Sequence, residues 1–368
     1  MALPDILVTG ATGKTGSAVV TQLLDTGRPV RAVVHARDAR SERLERLGAT
    51  IVVADMFDPG QLLAAMRGTT SAYYCPPWHP LMLQSAVAFA LAAREAKLEA
   101  IVGLTQWLAS PSHPSQLTRQ HWLADSVFAM LPDIAHVVVQ PGYFADNYLF
   151  GNVIELAAQF GVFPWPYGES RNAPPSNEDI ARVAAHALLD PQRHAGRAYR
   201  PTGPELLSGP EMAAILSHVL GRRVRAVPMP LWMFLKAARV AGVATADMLD
   251  LRTYVREHRA GTFAFNAPTS DVLDVTGHAP ESFETIARRY AMLPQAQRSL
   301  SNFARALVEF MKIGLTPGYD LDGYARRFGV TAPAPQLALE DAAWRASHEA
   351  KRVGPVKVER LVVAGEAA

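Results

Sequence analysis

The run Ile6-Leu7-Val8-Thr9-Gly10-Ala11-Thr12-Gly13-Lys14-Thr15-Gly16 decides the reading of this chain. Apolar and β-branched residues pass straight into three glycines spaced three apart, and a helical pattern from Ser17 to Leu24 begins at once. A strand buried on both faces of a parallel sheet reads as such a continuous apolar run. The glycines let the backbone turn sharply, come close to a ligand without a Cβ in the way, and pack the helix against the strand. A helix opening there points unpaired N–H groups and the positive end of its dipole into the turn. An anionic ligand suits that place, and a dinucleotide pyrophosphate suits it best. The alternative is a tight turn with a purely structural purpose.

Around this start, 368 residues allow a large core and predict one large or two unequal domains. The 49% hydrophobic and 19% charged content describes an ordinary soluble globular chain. Met1-Ala2-Leu3-Pro4-Asp5 has neither a basic nor an apolar leader segment, and Leu231 to Leu251 is broken by Lys236, Arg239 and Asp247. No signal peptide and no membrane span are therefore expected. The lone Cys75 cannot form an intrachain disulfide, which fits a reducing cytoplasm. A formal charge of +2 without a long basic block predicts no nucleic-acid partner. Eleven histidines show no two-His helical spacing with a carboxylate, so no metal site is expected. No Gly-x-Ser-x-Gly elbow suggests a hydrolase.

Further strands are predicted over 29–35, 50–54, 71–75, 100–105 and 135–140, with helices over 39–47, from Asp58-Pro59, over 81–97 and over 115–131. Strand and helix alternate six times through short connections, which is the pattern of a doubly wound parallel sheet with right-handed crossovers. The rhythm breaks after Pro141-Gly142. Tyr143 to Pro175 is rich in aromatics, glycine and proline, 177–189 restores a helix, and short strands and helices mix from Gly196 onward. In doubly wound folds the ligand lies beyond the carboxyl ends of the strands, so these segments are placed to cover it and to shape a substrate pocket. The helix predicted over 295–315 carries Leu300, Phe303, Leu307, Phe310 and Met311 on one side. That stripe is expected to be buried against the domain or a second subunit, since its flanks lack the basic face of an interfacial helix. The last stretch, 332–368, is proline- and charge-rich, with helical character around 339–351.

Taken together, the chain resembles the NmrA-like branch of atypical short-chain dehydrogenases/reductases, a group that holds quinone and triphenylmethane reductases and NADP-sensing regulators. The resemblance rests on Thr9 to Gly16, Val30-Arg31-Ala32-Val33-Val34 and Ala54-Asp55-Met56-Phe57-Asp58-Pro59. It continues in the His121-x-x-x-Asp125 pair, Gln140 to Tyr148, and Thr202-Gly203-Pro204-Glu205 with the later Leu220-Gly221-Arg222. It spans roughly residues 5 to 292. It implies a Rossmann-type NAD(P)-binding domain over 1–150, with 176–200 returning to it. A smaller α+β substrate lobe over 151–293 and a helical extension over 294–368 complete the expected α/β architecture.

By resemblance, Gly10, Ala11, Thr12, Gly13, Lys14, Thr15 and Gly16 cradle the cofactor. His35 and Arg37 follow the second strand, where an acidic residue would read the ribose 2′-hydroxyl of NAD and an arginine the 2′-phosphate of NADP. No carboxylate stands at that strand end, so Arg37, with Arg40 nearby, favours NADPH and leaves NAD as the alternative; both arginines also read as solvated loop charges. Asp55 and the N–H of Met56 would lie near the adenine, although Asp55 equally reads as a turn or capping aspartate. Pro76 and Pro77 would flank the ribose, or simply end the strand.

The Tyr-x-x-x-Lys pair of the wider family is absent, since no tyrosine has lysine four residues on. His121 falls near the position that lysine or histidine occupies in the resembling branch, where it would bond the ribose or donate a proton near neutrality. It reads equally as half of a surface i,i+4 pair with Asp125. Gln106 replaces the usual serine after the fifth strand, and Tyr143 stands after the sixth, so His121, Gln106 and Tyr143 are the candidate catalytic residues. Trp78, Trp107, Tyr143, Phe144 and Trp165 would line a flat apolar pocket. The expected function is NADPH-dependent reduction of a quinone-like or other conjugated small molecule. A non-catalytic NADP(H) sensor acting through a protein partner is the rival, and a homodimer is compatible with either.

Overall fold

In the computed structural model, which describes residues 5–349 except 151, 331 and 333, β1 (Asp5–Val8) enters the sheet through three fully buried side chains, Ile6, Leu7 and Val8. Each contributes about 1.5–3 kcal/mol by leaving water. Alternation along the strand splits them. Ile6 and Val8 pack on one face with α1 (Lys14–Asp25), while Leu7 packs on the other.

The chain then runs β2 (Val30–Val34), α2 (Ala39–Arg46), β3 (Thr50–Val53), α3 (Pro59–Met66), β4 (Thr69–Tyr74), α4 (Met82–Glu95), β5 (Ala100–Leu104), α5 (Gln116–Ala129) and β6 (Ala135–Val139). The helices begin where the sequence provides caps. Asp38 accepts N–H bonds at the start of α2, Asp58 at α3 ahead of Pro59, and Ser115 at α5. A lobe follows with α6 (Asp146–Leu149), α7 (Val153–Phe160), β7 (Val162–Trp165) and β8 (Arg171–Asn172). The chain next returns to the sheet with α8 (Asn177–Leu189), α9 (Pro191–His194) and β9 (Ala198–Tyr199). Beyond these come β10 (Leu207–Ser208), α10 (Gly209–Leu220), β11 (Arg225–Pro228), α11 (Leu231–Val240), α12 (Thr245–Arg259), α13 (Asp271–Thr276) and α14 (Phe283–Ala291). Last are α15 (Leu300–Leu315), α16 (Leu321–Phe328) and α17 (Ala342–Glu349).

Among the described residues the main sheet has seven strands in the order β3-β2-β1-β4-β5-β6-β9, all parallel. The order reverses between β1 and β4, so the crevice beyond their carboxyl ends is where a doubly wound fold takes its ligand. Ile180, Ala184 and Leu188 of α8 close one face against α1, and Leu62, Met66, Phe89 and Phe128 fill the other. The lobe has its own core, in which Ile154, Phe163, Trp165, Leu216 and Phe283 meet.

One expectation needs correction, and another is narrowed. The 295–315 helix begins only at Leu300, because Pro294 opens a separate single turn and Ser299 caps the helix by accepting from the Asn302 N–H. Its apolar stripe is also not buried within the chain. Leu300 is 90% exposed, and Phe303, Leu307, Phe310 and Met311 are 41–52% exposed. The buried side of α15 is Ala306 and Ile313, anchored by Arg305 on the buried Glu155 of α7 at 2.7 Å. The rings of Phe303 and Phe160 meet edge to face, while Leu307 and Phe310 border a cavity. Of the two coverings expected for this stripe, the domain supplies only a part, and a second subunit is the alternative left open. The part of the expected tail helix beyond Glu349 lies outside the described residues.

Candidate active site

The glycine turn has the shape its spacing predicts. Gly10 sits at φ +60°, and a Cβ there would lie 2.9 Å from the Cβ of Cys75. A Cβ on Gly16 would lie 2.2 Å from the Gly10 carbonyl, closer than any real contact. Helix α1 therefore presses directly on the turn, and no side chain caps its first N–H groups. Those free donors, together with the small-residue cradle, fit the pyrophosphate of a dinucleotide. Lys14 reaches away to the lobe, where Nζ lies 3.0 Å from Asp146 Oδ1 and donates to Tyr290 Oη at 2.6 Å. Asp146 also accepts from Asn177, which accepts in turn from Thr15 at 2.7 Å. The turn is thus tied to α6, α8 and α14 by one polar network. Ala11 is fully buried, and Thr12 borders the turn between the glycines.

Beyond β2, His35 and Arg37 are both exposed. Arg37 pairs with Glu45 at 2.9 Å and Arg40 with Asp38 at 2.6 Å, so each guanidinium already has a carboxylate that a phosphate would have to displace. Asp55 turns its Oδ1 to its own loop, accepting the Phe57 N–H at 2.9 Å, and its N–H donates to Gln61. The turn-forming reading of Asp55 describes this geometry. Met56 packs against the core beneath α3 and α4.

A cavity of about 1280 Å³ opens beside the turn. Lys14, Pro76, Pro77, Gln106, His121 and Tyr143 border its inner end, so the structure brings these predicted residues together, whereas Gly10, His35, Arg37, Asp55 and Met56 lie outside it. Gln106 is the most constrained polar group. Its Oε1 accepts from Thr118 Oγ1 at 3.0 Å and from Tyr254 Oη at 2.6 Å, leaving the amide N–H groups without a protein partner among the described residues. An amide held in that way presents donors, not an acceptor, to the cavity. Tyr143 bonds Tyr167 through the two hydroxyls at 3.0 Å, and burial pushes its phenol up to about 12, so it stays protonated.

His121 is 7% exposed, borders the cavity and makes no hydrogen bond to Asp125. Leu123, two residues on, is the side chain facing solvent. The surface-pair reading therefore does not describe it. The expectation that it titrates near neutrality also needs correction, because burial holds its imidazole down at about 3 and keeps it neutral. The group that titrates near neutrality is Asp125 one turn later, pushed up to about 8 by burial against β5.

The loop after β5 is braced from far along the chain. Trp107, 2% exposed, donates from Nε1 to the Thr262 carbonyl at 3.1 Å, and its own carbonyl accepts from Trp344 Nε1 at 2.8 Å. Behind it, His113 and Glu257 form a fully buried pair at 3.0 Å, and Glu257 also takes the Ala338 N–H and the Thr262 hydroxyl. Trp78, Trp107, Tyr143 and Phe144 border the cavity as expected, but Trp165 does not. It is turned into the lobe core and stacked on Tyr148 at 5.6 Å, because β7 buries alternate residues and Trp165 falls on the core side. Sequence reasoning missed Thr118, Tyr254 and the α11 wall. Nothing in the local pattern around Tyr254 points to a partner 148 residues away.

Residues 4–104 match the NmrA-like family. Over 228 residues the chain is 36% identical to an NAD(P)H azoreductase of Xenophilus azovorans, covering 61% of this chain and 77% of that protein. Among solved structures it resembles an NADPH-dependent quinone oxidoreductase from Escherichia coli in complex with NADPH. The TM-score is 0.67 at 23% identity, over 77% of this chain and 99% of the other. It also resembles a Citrobacter triphenylmethane reductase in complex with NADP(H), with TM-score 0.68 at 19% identity over 78% and 100% of the two chains. The two structures share the fold and leave about a quarter of this chain unmatched.

Proposed function

The chain belongs to the NmrA-like family, and we propose from that premise that it is a reductase of quinone-like or other conjugated small molecules with a preference for NADPH. It is an NAD(P)H-dependent oxidoreductase, in keeping with its 36% identity to an NAD(P)H azoreductase. The observation that carries the substrate class is the Gln106 amide. It offers unpartnered N–H donors in a mostly apolar cavity beside the glycine turn. Such donors suit an acceptor oxygen or nitrogen that gains charge as it is reduced.

Bound NADPH would supply the hydride. The α1 N-terminus, through the N–H groups of Lys14, Thr15 and Gly16, would hold the pyrophosphate. Arg37 would exchange Glu45 for a 2′-phosphate, which is the basis for preferring NADPH. Neutral His121 would bond a ribose hydroxyl or carboxamide rather than deliver a proton as imidazolium. Gln106 would steady the acceptor atom that gains charge, Tyr143 and Trp107 would flank the ring, and water would supply the proton. No tyrosine–lysine pair is needed for that chemistry, because a reduced quinone oxygen is basic enough to be protonated by water.

The test is oxidation of NADPH by purified protein with a panel of quinones, azo dyes and triarylmethane dyes. Turnover of at least one class, slowed about 10–150-fold when Gln106 is replaced by leucine, is the expected result. Clear NADP(H) binding with no turnover of any acceptor would overturn the reductase reading in favour of a cofactor sensor.

A further inference from the structure

We infer that the acceptor carries a long apolar chain and that the α11–α15 end of the cavity holds it, an inference that rests on the reductase reading above. The cavity, at about 1280 Å³, has to take the nicotinamide half of the cofactor as well as the acceptor, so the shape and chemistry of its lining decide more than its size. Most of the polar groups that could meet a reacting molecule stand toward one end. Gln106, His121, Tyr143, Tyr254 and the Lys14–Asp146 pair all stand near the glycine turn, where the cofactor's nicotinamide half and the acceptor ring would meet.

The far end is different in kind. Met229, Met233, Phe234, Ala237, Leu307 and Phe310 form its walls, and Asp247 is the one charged side chain bordering it among the described residues. Helix α11 carries Leu231, Trp232, Met233, Phe234 and Leu235 in succession, yet none of its residues is buried. Its neighbours α12 and α15 pack on it without burying any of its residues fully, and the small Ala237, Ala238 and Gly242 border the cavity beside them. An apolar helix face left open toward the inside of a site, continuous with the place of reaction, matches a ligand whose own surface is hydrocarbon. A small polar acceptor would leave this end without a partner. A quinone ring bearing an alkyl or isoprenoid tail fills both ends at once, with its oxygen at Gln106 and its tail between α11 and α15.

The experiment compares 2-methyl-1,4-naphthoquinone with derivatives carrying one, two or three prenyl units at the adjacent ring carbon. Each fully buried methylene is worth about fourfold in affinity, so kcat/KM should rise at least about 30-fold across the series even if only part of each tail is enclosed. Two substitutions read the site itself. Ala237→Trp should block the channel, and Phe310→Asp, at a half-exposed position that tolerates charge, should make it polar. In both, the ratio of long-tail to tail-free kcat/KM should fall to within about threefold of one. Binding of the same series is followed separately by quenching of tryptophan fluorescence with no reduced cofactor present. Turnover without any tail preference overturns this inference and leaves the reductase reading standing. No turnover with tail-dependent binding overturns the reductase reading and upholds the apolar channel. Binding that ignores tail length, or a wild-type ratio retained by both variants, overturns the channel.

Discussion

Replacing Gln106 with leucine keeps side-chain volume close to constant and removes the amide donors that face the cavity. The size of the loss follows from what the donor meets. A neutral hydrogen bond contributes a net 0.5–1.5 kcal/mol, and one to a charged partner about 1.5–3 kcal/mol. The acceptor gains negative charge on reduction, so the larger range applies to the transition state, and kcat/KM should fall about 10–150-fold. The loss should appear mainly in kcat, because the ground-state acceptor is neutral. Tyr254→Phe gives an internal control. Two accepted bonds of about 1 kcal/mol each favour the observed amide orientation by roughly 30 to 1, and losing the Tyr254 bond leaves roughly 5 to 1. Most molecules would still present N–H groups, so this variant should lose less than about twofold. Steady-state NADPH oxidation with 2-methyl-1,4-naphthoquinone at saturating cofactor measures both. A Gln106→Leu enzyme within twofold of wild type, or a Tyr254→Phe enzyme as impaired as Gln106→Leu, would refute the donor role.

Gly16→Ala should abolish binding of NADPH and NADH alike, read by cofactor fluorescence, because its Cβ has only 2.2 Å to the Gly10 carbonyl; retained binding would mean the turn can open without cost. Arg37→Ala should weaken NADPH about 5–50-fold while leaving NADH unchanged, the pattern expected when a charge-assisted phosphate contact is lost. Equal losses for both cofactors would remove the 2′-phosphate assignment. Burial holds His121 and His258 at about 3, so below pH 6.5 the unfolded chain takes up protons that the folded one does not, and their contribution to stability falls as pH drops from 6.5 toward 3. Asp125, pushed up to about 8, acts in the opposite sense: its contribution falls as pH rises from about 4 to 8. Hence His121→Gln should lose less Tm than wild type between pH 6.5 and 4.5, Asp125→Asn should lose more, and parallel Tm curves would contradict both assignments. Glu257→Ala leaves His113 and the Ala338 N–H facing an empty buried space and should cost about 3–5 kcal/mol in urea unfolding; a change under 1 kcal/mol would show that the pair is dispensable.

The parts of this molecule that sequence reading reached are those made by neighbours. Ile6 to Gly16 specifies strand, turn and helix within eleven residues, and the close approach at Gly16 is made inside that run, while the one at Gly10 is to Cys75 after β4. The spacing on α5 left His121 open between the site and a surface pair with Asp125, and its burial beside the cavity decides between them. Its protonation was not legible either, since the imidazole is held neutral by burial that a local pattern does not reveal. Gln106 looked like a weak substitute for serine until Thr118 and Tyr254 were seen to fix which way its amide points. The stripe on α15 shows the limit of periodicity from the other side. Leu307 and Phe310 have the spacing of core residues, and a wall around a cavity requires the same spacing as a wall against protein.

The ties from Trp344 to Trp107 and from Ala338 to Glu257 have a consequence for how the protein is made. The loop that holds Gln106 emerges from the ribosome early, in the first third of synthesis, yet two of its braces belong to segments translated more than two hundred residues later. Until those segments arrive, Glu257 and His113 lack part of the shell that encloses them, and the nascent sheet must wait with its reactive end unfinished. A chain terminated before residue 338 would carry the whole glycine turn and a Gln106 loop without these braces.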